Sequence, residues 1–336
     1  MTQFRLKIIV IASILFFTLP TISFAEKILV IDPGHGGKFP GTCGYSGEAD
    51  GFCEKDANLL VGLKLREIIE STSDISVQMT RTADMEFAPI LRQVIGGGQV
   101  GDLEKRMEVA NGFVEGNNDN SIFISIHFNQ DINSSSTHGM ETYYYDGVNH
   151  YKPQHPPDPM QLEFLSENKR LGTIAHQNLL NSLGLRDREL RNDQSFYVLR
   201  SARMPAILVE LGFMTNPQEE QLIKSESFQW DAAQALADTV MEYFKVYEVF
   251  DREMEKLGVF EEQEDALKFA VGLEMDGVTV FDKDKQRNIY PEPTQEELLF
   301  SLQERFDKLI TNNKLANGKY QTFPLKLFHW KQIETR

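Results

Sequence analysis

Four residues of this chain combine metal-binding and acid–base chemistry with positions that a fold can bring together. His35 stands in DPGHGG, Glu54 in CEKDANL, His127 in SIHFN and Glu210 in LVELGFMTNP. Two imidazoles and one carboxylate are a common donor set for catalytic zinc, which takes three protein ligands and keeps a fourth position open. A further carboxylate that stays off the metal suits proton transfer to and from a reacting group. His35, Glu54 and His127 are therefore candidate ligands for one zinc ion, and Glu210 is the candidate base and acid. Each also has an ordinary reading. A strand-end histidine is most often a hydrogen-bonded shell residue, and Glu54 suits the positive end of a helix. Glu210 follows the apolar run Ile207–Val209, where an unpaired carboxylate is costly to bury, so a functional role weighs more there than for either histidine alone.

Hydrophobic periodicity gives the elements that must hold these residues. KILVID (27–32) reads as a buried strand and Ala57–Ile69 as a helix. Ile75–Thr80 is a strand candidate, Leu103–Phe113 a helix, and Gly139–Tyr145 a further strand. IFISIH (122–127) is apolar and β-branched almost throughout, as in a central strand covered on both faces. Glu163–Leu183 suits a helix ending near Gly184, and Phe196–Leu199 and Ala206–Glu210 read as two short strands. Asn216, Pro217 and Glu219 mark a helix start that runs towards Tyr247 with a break near Phe228. Such alternation specifies an α/β sheet layered with helices. In open sheets of this kind ligands sit beyond the carboxyl ends of the strands. His35, His127 and Glu210 emerge there, and the glycine-rich loop can bring Glu54 across. Gly34, Gly36 and Gly37 allow the backbone to turn tightly beside a metal.

The 336 residues, 41% apolar and 10% aromatic, allow one ordinary domain and a smaller second one. Arg5 and Lys7, the apolar run Ile8–Leu19 and the small-residue exit Ser23-Phe24-Ala25 make residues 1–25 a secretory signal peptide. The run is short for a membrane span of about 20 residues, so no stable membrane insertion is expected after cleavage. Removing two cationic and no acidic residues takes the net charge from −16 to −18. A chain so acidic should not bind nucleic acid through its bulk field, and a periplasm suits it better than an anionic wall. Cys43 and Cys53 form an even pair in one glycine-rich stretch. In an exported protein this fits a disulfide worth about 2–3 kcal/mol at most; free thiols or soft metal ligands are the other readings. Ala88–Gly101, with three consecutive glycines, and the proline-rich stretch near 148–160 look like insertions in a catalytic region spanning 26–248. Within 249–336, a small C-terminal extension, Glu274–Asp284 reads as hairpin-like and Thr294–Ile310 as helical.

The segments ILVIDPGHGG, EKDANL, MTR followed by Asp84-Met85, the Leu-x-x-Arg-x-x-x-Ala-Asn run at 103–111, SIHFN, FYVLR and MPAILVELGFMTNPQEE come in a fixed order over residues 27–245. In that order they resemble the zinc-dependent N-acetylmuramoyl-L-alanine amidases. The resemblance implies a twisted, mostly parallel or mixed six-stranded sheet flanked by helices. It also implies one Zn2+ per chain on His35, Glu54 and His127, with Glu210 as the catalytic glutamate and peptidoglycan as the partner. Asn129 matches the asparagine after the second histidine and is expected near the cleft. Arg203 is read either as a contact to a substrate carboxylate or as a structural salt bridge. One departure is Glu189, where the family often carries glycine. The 88–101 stretch falls where some members carry an inhibitory helix, so a protein activator is expected to act there or on the C-terminal region. The competing expectations are a zinc stem-peptide carboxypeptidase or endopeptidase, and a wall-binding regulator without catalysis.

Overall fold

The computed structural model describes residues 26–47, 51–87, 100–283 and 287–290. The signal peptide, most of the 88–101 insertion and the helix expected at 294–310 lie outside them. The chain divides into two compact units at Tyr243/Phe244, ahead of the composition change at 248.

In the first unit, β1 (Ile28–Pro33), β2 (Ser76–Met79), β3 (Ser121–Asn129), β4 (Met140–Tyr144), β5 (Asp187–Asn192) and β6 (Ala206–Phe213) form one sheet. Its order is β2-β1-β3-β6-β4-β5. The first four are parallel neighbours, β4 runs antiparallel to β6, and β5 is parallel to β4. The expected six-stranded mixed α/β sheet is present. β3 lies near its middle, and Ile122, Phe123, Ile124 and Ile126 are fully buried. Burying such a side chain contributes roughly 1.5–3 kcal/mol, which is why a run without polar alternation settles at the centre.

Helices cover both faces. α1 (Glu54–Thr72) buries Val61, Leu65 and Ile69, and its Gly62 lies against Pro33, Ile31 and Met79. α3 (Leu165–Leu183) packs on the same face, its Gly172 against Ile207, Tyr144 and Leu190. α2 (Val100–Phe113) and α4 (Tyr197–Ser201) close the opposite face over Ile28, Val30, Phe123 and Leu208. On that face Asp32, Ser125, Leu208 and Tyr143 are neighbours across four strands. One row nearer the carboxyl ends, His127, Glu210 and Glu141 stand side by side on β3, β6 and β4. Register thus assembles the site row.

Several sequence expectations differ from the fold. The FYVLR run is helix α4 rather than a strand, because a four-residue apolar run has no period that separates the two. The sixth strand is instead DRELRN, a polar edge strand without a core-like pattern. His127 and Glu210 do not terminate their strands, which continue to Asn129 and Phe213. The final helix is two, α5 (Pro217–Lys224) and α6 (Glu226–Phe244), broken at Ser225.

The second unit holds the antiparallel sheet β10-β9-β7-β8, built from β7 (Tyr247–Phe250), β8 (Lys256–Phe260), β9 (Thr279–Asp282) and β10 (Arg287–Tyr290). Helix α7 (Gln263–Gly272) packs Ala266 and Ala270 against Val249 and Val280. The hairpin foreseen at 274–284 is the later pair β9–β10. Among the described residues no helix is long and apolar enough to cross a membrane.

Candidate metal centre and active site

His35 follows β1 in a turn that leaves the sheet sharply, with φ +61° at His35 itself and +131° at Gly36. Glu54 is the first residue of α1, and His127 lies on β3. One potential ligand atom from each of His35, Glu54 and His127 lies within 4.8 Å of the others. His35 Nε2 is 3.1 Å and His127 Nδ1 2.9 Å from the same Glu54 oxygen, Oε1. The imidazole rings meet edge to face, 5.0 Å between centroids. Two glycines make this approach feasible. A Cβ on Gly34 would lie 2.2 Å from His127 Nε2, and one on Gly41 2.3 Å from Glu54 Oε2.

The donor set fits a divalent ion of borderline softness such as zinc: two imidazoles and one carboxylate, with no thiolate. Both cysteines are joined in a Cys43–Cys53 disulfide, which excludes them as ligands. Burial alone would raise the Glu54 carboxyl, but His127 and His35 reverse this and hold it well below the usual carboxylate range. Burial pushes the His127 imidazole down, against the pull of Glu54. A charged carboxylate and a neutral imidazole are the forms that bind metal.

The ligand turns are fastened from behind. Glu54 Oε2 accepts the Thr42 N–H at 3.1 Å, and Oε1 the Phe128 N–H at 3.2 Å. Arg81 donates to the carbonyls of Pro33 and Gly34, and Arg106 to those of Pro33 and His35. Arg106 also pairs with Asp32 at 2.7 Å, and Asp32 accepts from Thr80 and Ser125. A cleft of about 140 Å³ opens beside both histidines, with Phe39, Leu103 and Val198 in its wall.

Glu210 lies next to His127 in the sheet register. Its Oε2 is buried without a hydrogen-bond partner among the described residues. Burial raises its carboxyl well above the usual range, with the charges of Glu54 and Glu141 acting in the same direction. A bound cation acts in the opposite sense.

Sequence reasoning missed Glu141. Its buried carboxylate accepts from Asn129 (2.9 Å), Tyr143 (2.7 Å) and Arg188 (2.9 Å), with Arg191 at 3.4 Å. Asn129 is therefore drawn to the flank of Glu210. Arg203 is elsewhere: its side chain is half exposed and pairs with Asp158 at 2.9 Å, the salt-bridge alternative. His176 binds Thr142 and Asp187, and His138 the Ser136 carbonyl, so neither joins the centre.

A mixed α/β sheet with a His/Glu/His cluster and a raised glutamate at its carboxyl edge defines a metal-dependent hydrolase. The chain belongs to the N-acetylmuramoyl-L-alanine amidase family (Amidase_3), whose model matches residues 29–242. It is 25% identical over 224 residues to the germination-specific N-acetylmuramoyl-L-alanine amidase of Bacillus subtilis (strain 168), covering 67% of this chain and 82% of that protein. The uncharacterized protein YqiI of the same organism is 30% identical over 219 residues, 65% and 85% of the two chains. Among solved structures, the catalytic domain of CwlV, an N-acetylmuramoyl-L-alanine amidase from Bacillus (Paenibacillus) polymyxa var. colistinus, superposes with TM-score 0.50 at 32% identity. That match covers 65% of this chain and 98% of the other.

Proposed function

We propose that this chain hydrolyses the amide between N-acetylmuramic acid and L-alanine in peptidoglycan, with zinc held by His35, Glu54 and His127. The carrying observation is the convergence of these three donors next to a partly unpaired glutamate, inside the region that matches the family. Zinc, when bound, supplies Lewis-acid polarisation of the scissile carbonyl and makes water nucleophilic near neutral pH. Glu210 takes the proton of the attacking water on Oε2 and returns it to the departing alanine nitrogen. A carboxyl raised by burial beside two other carboxylates suits both halves of that exchange, because it binds and releases a proton closer to neutrality than an exposed one. Asn129 and Glu141 hold the adjoining wall. Phe39, Leu103 and Val198 supply apolar surface in the cleft beside the histidines.

The signal-peptide pattern of residues 1–25 supports export, and the net charge of −18 left after its removal favours a periplasm over an anionic wall. The 88–101 insertion and the C-terminal unit are where a protein activator would act. Product identification from purified sacculi tests the activity: intact stem peptides with a free alanine amine are expected. Release confined to terminal D-alanine or cross-link fragments would establish a stem-peptide carboxypeptidase or endopeptidase instead. Shortening 88–101 is expected to raise basal hydrolysis, and an unchanged turnover would remove autoinhibition by that stretch.

A further inference from the structure

We infer that Arg106 is a positioning residue for His35: its guanidinium fixes the turn that presents the imidazole and ties that turn to Phe87 and Asp102. The inference rests on His35 being a zinc ligand. His35 adopts φ +61°, a region that non-glycine residues occupy only where the surroundings over-determine it. The surroundings here are three successive carbonyls, each captured by a buried side chain. Pro33 O accepts from Arg106 Nη1 and Arg81 Nε, both at 2.8 Å. Gly34 O accepts from Arg81 Nη2 at 2.9 Å and Asn58 Nδ2 at 3.1 Å. His35 O accepts from Arg106 Nη2 at 2.6 Å, so Arg106 alone of these three side chains holds the ligand residue itself.

The guanidinium is itself immobilised. Nη1 also binds Asp32 Oδ1 at 2.7 Å, while Nε is buried without a partner among the described residues. Leaving one donor unsatisfied is unfavourable. The orientation therefore follows from where Asp32 and the two carbonyls lie, not from pairing every N–H of the arginine. From the other side Phe87 stacks 4.7 Å from the guanidinium carbon, its N–H donating to Asp102 Oδ1 at 2.7 Å, and Asp102 stands 3.8 Å from Arg106. Phe87 directly precedes the 88–99 stretch and Asp102 lies three residues beyond it, so both are joined to the His35 carbonyl through the one Arg106 side chain. A residue that orients a ligand without touching the metal commonly changes affinity by about 10–100-fold when altered.

The competing account makes Arg106 only the countercharge of Asp32. Arg106→Lys separates the two, since it keeps the charge but cannot reach three oxygens with a rigid fork. Zinc affinity of the chelator-stripped full chain is measured by competition with a chromophoric chelator, with circular dichroism to establish folding. Arg106→Lys is expected to bind zinc at least tenfold more weakly while keeping the native spectrum, and Phe87→Ala about threefold more weakly. These factors scale from the same outer-shell range. Affinity within twofold of wild type for folded Arg106→Lys overturns the proposal. Should that variant fail to fold, the charge-neutral pair Asp32→Asn with Arg106→Gln is read by the same criterion. His35→Ala is the control for the underlying ligand assignment: wild-type zinc affinity there would overturn the assignment, independently of Arg106.

Discussion

The two walls of the site handle carboxylates in opposite ways. On the wall built by β1, α1 and α2, charge is matched: Glu54 faces two histidines and accepts two backbone N–H groups, and Asp32 faces Arg106, Thr80 and Ser125. On the wall built by β6, β4 and β5, Glu141 takes the available donors, and its neighbour Glu210 keeps an oxygen with none. Glu54 is accordingly pushed down and Glu210 up. Two glutamates of one centre thus receive different work from their surroundings alone, one to stay charged against a cation and one to carry a proton. The largest expected effect breaks or confirms this contrast. Glu210→Gln should lower kcat by about 10²–10⁴-fold while zinc content stays at one per chain. Glu54→Gln should lose the metal. If both variants lose zinc to the same extent, or both keep it, the two walls do not divide the labour.

The matched wall should also dominate stability. Asp32→Ala strands the Arg106 charge in the interior, and breaking a buried pair in this way costs about 3–5 kcal/mol. Burial by itself would raise the Asp32 carboxyl, but Arg106, Thr80 and Ser125 outweigh it and hold the group below its ordinary value. A folded-state pKa depressed in this way contributes stability that is fully present above the unfolded value of about 3.9. That contribution fades as the pH falls through the depressed value. Urea unfolding at pH 7 should show the full deficit of Asp32→Ala, and the gap to wild type should narrow below about pH 4. A gap independent of pH across that range would mean that lost packing, not charge, explains the variant.

How much of this was legible in the chain depended on whether a residue's role was local. β1 and β3 announce themselves because continuous apolar runs suit strands covered on both faces. The His35, Glu54 and His127 cluster was reachable because each residue sits beside a recognisable element and the chemistry wants that set. Glu141 was not: METYY reads as an ordinary strand, and Arg188, which binds it, is 47 residues away. Its importance comes from a register that sets β4 beside β6, which no local pattern encodes. Arg106 stands in the Leu-x-x-Arg run, but its pairing with Asp32, 74 residues distant, is set only by the packing of α2 on the sheet. β5 escaped notice because an edge strand of alternating charges carries no burial signal. FYVLR misled for the opposite reason, being apolar but too short to have a period.

The Cys43–Cys53 bond sharpens the picture of the matched wall at a smaller scale. It closes the loop that precedes Glu54, and Thr42, next to Cys43, both accepts the Glu54 N–H at 2.7 Å and donates to Glu54 Oε2 at 3.1 Å. With the cysteines 10 positions apart in sequence, removing the cross-link should cost about 2–3 kcal/mol through the entropy of the unfolded chain. The double variant Cys43→Ser with Cys53→Ser, unfolded in urea beside wild type, reads this directly. An unchanged midpoint would show that the Thr42 bonds and the α1 start hold Glu54 without the covalent tie.

The smallest effect belongs to the opposite wall. Between the Met140–Asp187 and Thr142–Leu190 pairs, β4 advances two residues while β5 advances three, so β5 carries one extra residue. Such a bulge turns its strand and re-aims a side chain. Here it accompanies Arg188 meeting Glu141 at 2.9 Å. The residue that absorbs the turn is Glu189, at φ +80° with its N–H on Asp187 Oδ1, where the family resemblance led us to expect glycine. A side chain in that conformation costs about 1–2 kcal/mol, and glycine returns part of the gain through its freer unfolded state. Glu189→Gly should therefore stabilise the fold by roughly 0.5–1 kcal/mol, seen as a higher urea midpoint at unchanged m-value, with zinc content unaffected. A lower midpoint would instead show that the Glu189 side chain makes up for its own strain.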